Sequence, residues 1–303
     1  MLTKELGNVS ATATGWRDYY ALTKPRVVQL LVFTAIVGML LATPGMVPWD
    51  ALIFGSIGIG LAAASGAVVN HVLDQRIDAQ MTRTRSRPLP MGRMHERDAL
   101  AFALGLGLAG LAVLVLFVNA LTAALTFASL IGYAVIYTVY LKRATPQNIV
   151  IGGAAGAAPP VLGWTAVTNE VDGYALLLFL IIFTWTPPHF WALAVSRRAD
   201  YERAEIPMLP VTHGEELTKS FIIYYTILLL VITVLPYITG MSGMLYLCGA
   251  MLLGGGFLYY AVQMKFAPRP DLPMTTFHYS ITYLMALFSF LLIDHYIPAI
   301  WPE

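Results

Sequence analysis

Charge-free stretches set the pattern of this chain. Residues 27–49, 51–73, 144–169, 173–196 and 272–293 hold no Asp, Glu, Lys or Arg. Each is long enough to cross a bilayer once, since about 20 helical residues cover ~30 Å. Two further charge-free stretches, 99–141 and 220–264, are about twice that length. Each has a weak polar break near its middle, at Asn119-Ala120-Leu121-Thr122 and at Thr239-Gly240-Met241-Ser242-Gly243. The pattern predicts nine transmembrane helices and an all-α integral membrane fold.

The basic residues alternate with these spans. Lys4, Arg17, Lys24 and Arg26 precede the first, and the 43–50 connection has none. Arg76, Arg83, Arg85, Arg87, Arg93 and Arg97 follow the second. Lys142 and Arg143 follow the fourth; Arg197, Arg198, Arg203 and Lys219 the sixth; Lys265 and Arg269 the eighth. The connections between these groups carry no Lys or Arg, so all 18 basic residues fall on one side. The positive-inside rule makes that side cytoplasmic, with the N-terminus inside and the C-terminus periplasmic.

Composition fits a lipid-embedded chain: 58% hydrophobic and 12% charged, against about 25% charged in soluble domains. The net charge of +1 gives no reason to expect nucleic acid. A single cysteine, Cys248, excludes a disulfide framework. The first 25 or so residues lack the apolar core of a secretory signal and the acid-free composition of a transit peptide. A bacterial inner membrane is the expected address. The expected organisation is a cytoplasmic segment, 1–22, and one membrane domain, 23–303.

Candidate chemistry lies in and beside the two long polar loops, about 75–98 and 197–219. Asn70, Asp74 and Asp78 recur at i, i+4 and i+8. On one helix they would form a stripe roughly 12 Å long. Two carboxylates and an amide are hard oxygen ligands of the kind Mg²⁺ takes while sharing its shell with phosphate. The plainer reading is a solvated helix end, with Asp74 paired to Arg76 or another loop arginine. Burial of Asn70 in the apolar part favours function, because intramembrane polar groups are costly. Arg83, Arg85 and Arg87 suit phosphate oxygens, although loop arginines also serve topology alone. Lys142 could complement a helix dipole or hold a diphosphate.

His189 sits in an apolar span after Pro187-Pro188, among Trp185, Phe190 and Trp191. The prolines remove helix hydrogen bonds and are expected to open the backbone there. A lone histidine in such a span is more often a packing residue than a ligand. The aromatic side chains around it would also suit a flat hydrophobic substrate.

At these residues the chain resembles the UbiA-type intramembrane prenyltransferases. The resemblance is carried by Asn70, Asp74 and Asp78 running into Met81, Arg83-Thr84 and Arg87-Pro88, and by Tyr137-Thr138 with Leu141-Lys142-Arg143. It continues through Pro188-His189-Phe190-Trp191-Ala192-Leu193-Ala194, Arg197, Asp200-Tyr201 and Ile206-Pro207-Met208-Leu209-Pro210. Leu22-Thr23-Lys24-Pro25-Arg26 fits as well, and nearly the whole chain is covered, roughly 16–298. The Pro-His-Phe-Trp segment points to the branch that prenylates haem. The superfamily usually has a second Asp-rich motif after span six. Here that segment offers only Asp200, with Arg197 and His189 upstream, as in the haem branch.

The resemblance implies a UbiA-like bundle with a cytoplasm-facing cavity. It implies transfer of a farnesyl group from farnesyl diphosphate to a vinyl group of haem B, giving haem O for terminal oxidase assembly. Asn70, Asp74 and Asp78 would hold Mg²⁺. Arg83, Arg87, Lys142, Arg143 and Arg197 would hold the diphosphate, and His189, Trp185 and Trp191 would contact haem. Haem A synthase or terminal oxidase assembly factors are the implied protein partners. The rival readings are a UbiA-type enzyme with another aromatic or tetrapyrrole acceptor, and a haem or lipid transporter. Transporters often show repeated halves with helices broken at mid-membrane. This chain shows no such repeat.

Overall fold

The computed structural model describes residues 14–300. The described residues are helical, with no strand among them. Eight helices are long and apolar enough to span: Trp49–Leu73, Glu96–Phe117, Ala120–Leu141, Asn148–Thr168, Gly173–Ser196, Glu215–Ile238, Met244–Phe266 and Leu272–Ile297. Trp16–Leu22 and Pro25–Leu41 form a pair bent by 52° that makes a ninth. The nine spans expected from the sequence agree with the count that includes this pair.

The first span departs from its charge-free stretch. The pattern placed it at 27–49, whereas the helix starts at Pro25 and ends at Leu41. Pro44, Gly45 and Pro48 follow, and the chain re-enters a helix only at Trp49. Proline cannot continue a helix without losing a hydrogen bond, so lack of charge overstated the length. The two double-length stretches break where expected. Asn119 caps the helix after it, its Oδ1 accepting from the Thr122 amide at 2.8 Å. Gly240 turns the second with φ +76°, a conformation open to glycine.

The alternation of loops is visible as two poles. At one, Lys24, Asn70, Asp74, Asp78, Arg87 and Lys142 meet one another. At the other, Asp294 accepts from the Tyr246 amide at 3.1 Å and His295 meets the Thr43 carbonyl at 3.0 Å. Tyr174 donates to the Thr239 carbonyl at 3.1 Å at that same pole. Large apolar side chains, including Leu104, Leu108, Leu116 and Leu252, are exposed along the outer helix faces. In a membrane protein lipid is their solvent. The chain is a multi-span membrane protein.

Close helix crossings rest on glycine. A Cβ at Gly163 would lie 1.9 Å from the Ala35 carbonyl oxygen, and one at Gly38 2.2 Å from that of Pro160. These two positions lock Pro25–Leu41 against Pro159–Thr168. Small residues let transmembrane backbones approach this closely. The Ala120–Leu141 span turns π-helical over Gly132–Leu141, where Thr138 donates to the Tyr133 carbonyl at 2.8 Å. Such widened turns recur at functional sites.

Gly163→Ala should therefore cost about 1–3 kcal/mol, because backbone cannot yield as a side chain can. Gly105→Ala, with nothing within 4 Å of its Cβ, should be neutral or stabilising by up to about 1 kcal/mol. Thermal unfolding of the purified variants in detergent compares them. Equal midpoints would remove the glycine-crossing argument.

Candidate active site

Asn70, Asp74 and Asp78 come together as their spacing suggested, but not on one helix. The Trp49–Leu73 helix ends before Asp74, which joins it to the short helix Gln75–Gln80. Backbone bonds Asp74 N–H to Asn70 carbonyl (3.0 Å) and Asp78 N–H to Asp74 carbonyl (2.8 Å) keep the four-residue register across the junction. The Asn70 side-chain amide donates to Asp74 Oδ2 at 2.8 Å and to Thr138 Oγ1 at 3.3 Å. All three residues are buried.

Each carboxylate holds a cation from another segment. Lys142 Nζ is 2.6 Å from Asp74 Oδ2, and Arg87 is 2.6 Å from Asp78 Oδ2. Neither partner is Arg76, the neighbour suggested by the simplest helix-end reading. Lys24 donates to Asn70 Oδ1, from a left-handed backbone (φ +49°) at the bend before Pro25. Lys24 is a site residue that the sequence does not mark as one, although the Leu22-Thr23-Lys24-Pro25-Arg26 segment that holds it fits the family resemblance. Two carboxylates thus face three cations, and Asp74 Oδ1 is buried with no hydrogen-bond partner among the described residues. An orphan carboxylate oxygen is a ready position for a metal, and a cation surplus suits an anionic substrate.

The second loop closes on the first. Asp200 Oδ1 accepts from Thr82 Oγ1 at 3.0 Å and pairs with Arg203 at 3.3 Å. Tyr201 beside it is buried, and burial pushes its phenol up, with the Arg83, Arg197 and Arg87 guanidinium groups acting against that rise. Those three arginines therefore share one environment. Arg83 is exposed, and the Arg197 Nε is buried with no hydrogen-bond partner among the described residues. Lys142 and Arg143 begin the helical turn that follows the π-helical segment. Tyr137, part of the Tyr137-Thr138 pair that carries the resemblance, stacks at 5.8 Å on Tyr133, which the sequence did not single out.

His189 lies in an unbroken helix, Gly173–Ser196, which runs through both prolines. The expected opening of the backbone there does not become a helix break, because neighbouring helices pack on the Pro-Pro turn. The His189 ring is stacked between Trp185 (4.2 Å, 19°) and Phe277 (4.5 Å, 24°). Trp191 points elsewhere. It is fully buried against Phe221 and Tyr225 at 6.0 and 5.3 Å, so Trp185 and Trp191 do not form one wall. His189 is seven residues before Ser196, which puts it about 10 Å deeper than that helix end.

A helical membrane bundle with a buried, cation-ringed Asn–Asp–Asp mouth defines a class of lipid-embedded enzymes acting on diphosphates. This chain belongs to the UbiA prenyltransferase family, whose profile matches residues 31–290, and it is a prenyltransferase. It is 63% identical, over 94% of each chain, to the protoheme IX farnesyltransferase of Alkalilimnicola ehrlichii. Its fold is similar to a structure reported for digeranylgeranylglyceryl phosphate synthase (TM-score 0.77, 18% identity, 92% of this chain and 98% of that one). It is also similar to a UbiA homologue from Archaeoglobus fulgidus bound to GPP and Mg²⁺ (TM-score 0.60, 17% identity, 90% and 99% covered).

Lys142→Met would leave Asp74 buried without its cation. Removing one partner of a buried pair costs about 3–5 kcal/mol. The variant should melt well below the parent in detergent without divalent cations, and an unchanged midpoint would show that the pair is not stabilising.

Proposed function

We propose that this chain transfers the farnesyl group of farnesyl diphosphate to a vinyl group of haem B, giving haem O for terminal oxidase assembly. The observation that carries the reading is the near-full-length 63% identity to a protoheme IX farnesyltransferase. The site supports it chemically. Asp74 and Asp78, with Asn70, would hold Mg²⁺, and the orphan Asp74 Oδ1 and the all-oxygen donor set fit that ion. When bound, Mg²⁺ acts as a Lewis acid that neutralises the diphosphate leaving group.

The chain's own residues would do the rest. Lys142 and Arg87, now on the carboxylates, are within reach of a diphosphate's oxygens once a metal takes the carboxylates. Lys24, Arg83 and Arg197 add positive charge around the same mouth; the Arg143 side chain, also expected to hold the diphosphate, lies outside the described residues. Asp200 positions the second loop over the first through Thr82. The C1–O bond of farnesyl diphosphate breaks and diphosphate leaves. The terminal vinyl carbon bonds to C1, water adds to the inner vinyl carbon, and one proton is released. The buried apolar bundle keeps water from quenching the allylic cation before the vinyl group attacks. His189 and Trp185 face haem, while Trp191 supports the helix that carries them.

The mouth opens to the cytoplasm in this reading, in a bacterial inner membrane, because every basic loop lies at that pole. Haem A synthase or an oxidase assembly factor would receive the product.

Mass spectrometry of haems extracted after incubating the purified protein with haem B, farnesyl diphosphate and Mg²⁺ should show the hydroxyethylfarnesyl product. Unmodified haem B beside a prenylated different acceptor would replace the proposed acceptor. Asp74→Asn and Asp78→Asn should each lower turnover at least ~100-fold while the protein still purifies, an effect of the size expected when charge stabilisation of a leaving group is lost. Near-parental activity in either would remove that carboxylate from the metal site. With Cys248 replaced, a cysteine at position 170 should label from the periplasm and one at 93 should not. The reverse would invert the topology.

A further inference from the structure

We propose that Ser280 is a positioning residue. It fixes His189 in the tautomer that carries its proton on Nδ1, so that Nε2 presents a lone pair to the iron of the haem acceptor. The inference rests on the reading that haem is the acceptor.

The argument is a count of hydrogens. Ser280 Oγ lies 2.6 Å from the Phe277 carbonyl oxygen and 2.6 Å from His189 Nδ1. Contacts this short each need a hydrogen between the heavy atoms. A carbonyl cannot donate, so the single hydroxyl hydrogen of Ser280 must point to Phe277. The hydrogen in the other contact must then come from Nδ1. The neutral ring is left with an unprotonated Nε2, which makes no hydrogen bond among the described residues.

The ring cannot easily swing away from that setting. Trp185 and Phe277 cover its two faces at 4.2 and 4.5 Å, nearly parallel to it. Trp185 is itself held by its Nε1 donating to the Ser280 carbonyl at 2.8 Å. One residue of the Leu272–Ile300 helix thus fixes the tautomer through its side chain and the stacking partner through its backbone. Ligating histidines are commonly set in this way, with the far nitrogen donating to an outer oxygen that orients the ring and raises its basicity.

Haem B titrated into the purified protein should give a histidine-ligated Soret band that His189→Ala loses and that added imidazole restores in His189→Gly. Ser280→Ala should weaken haem binding roughly 10-fold and shift the band, as loss of an outer partner does. Ser280→Thr, whose hydroxyl can bond back to the same helix carbonyl, should keep it. The ¹⁵N spectrum of the histidine-labelled protein, assigned by difference from His189→Gln, should show His189 Nε2 unprotonated without haem. A proton on Nε2, or parental haem affinity and spectrum in Ser280→Ala, would overturn the inference even if haem is farnesylated. A protein that binds no haem while Nε2 is unprotonated would overturn ligation together with the acceptor assignment.

Discussion

Two buried carboxylates that cannot be left alone in lipid organise one pole of this bundle. A charge at membrane depth must find a partner inside the protein, since no water is there to solvate it. Asp74 takes Lys142 and Asp78 takes Arg87, while Lys24 takes the amide between the helix end and the carboxylates. These three cations come from the first-span bend, the first long loop and the end of the fourth span. Satisfying the carboxylates therefore draws three separate stretches of chain to one point. The same contacts gather three cations around the two carboxylates.

The helix geometry around that point follows from the demand. The Trp49–Leu73 helix stops at Asp74, yet the chain keeps helical register through the junction, so the amide and both carboxylates stay aligned. The π-helical stretch of the fourth span brings Thr138 into contact with Asn70 and carries Lys142 to Asp74. Glycine contacts between Pro25–Leu41 and Pro159–Thr168 dock the helix whose first turn follows Lys24. The second loop is tied down by Thr82 and Asp200, which closes the mouth with arginines on both sides.

The cluster around His189, which we assign to the acceptor, is built on different physics. There the groups are neutral and aromatic, and stacking rather than charge fixes the geometry. His189 lies about 10 Å inside the end of a helix that keeps its course through two prolines. The separation places a polar, charge-neutralising end beside a dry aromatic one. In the proposed reaction an allylic diphosphate would use the first environment and a flat tetrapyrrole the second.

The amino-acid sequence by itself determined the number of spans, their alternation and the Asn70–Asp74–Asp78 register. These depend on local quantities: the length of charge-free helix and the four-residue turn. It overstated the first span, because lack of charge does not reveal where Pro44 and Pro48 stop a helix. Which cation meets which carboxylate was decided only by the tertiary structure. Lys142 and Asp74 are 68 residues apart, and Lys24 and Asn70 are 46 apart. The same holds for the histidine. Its aromatic neighbours in sequence looked like one wall, but Trp191 turns into another part of the core, while Phe277 and Ser280, the latter 91 residues on, take the ring. Contacts between helices depend on how each is rotated about its axis, and that rotation is set by packing against all the others at once.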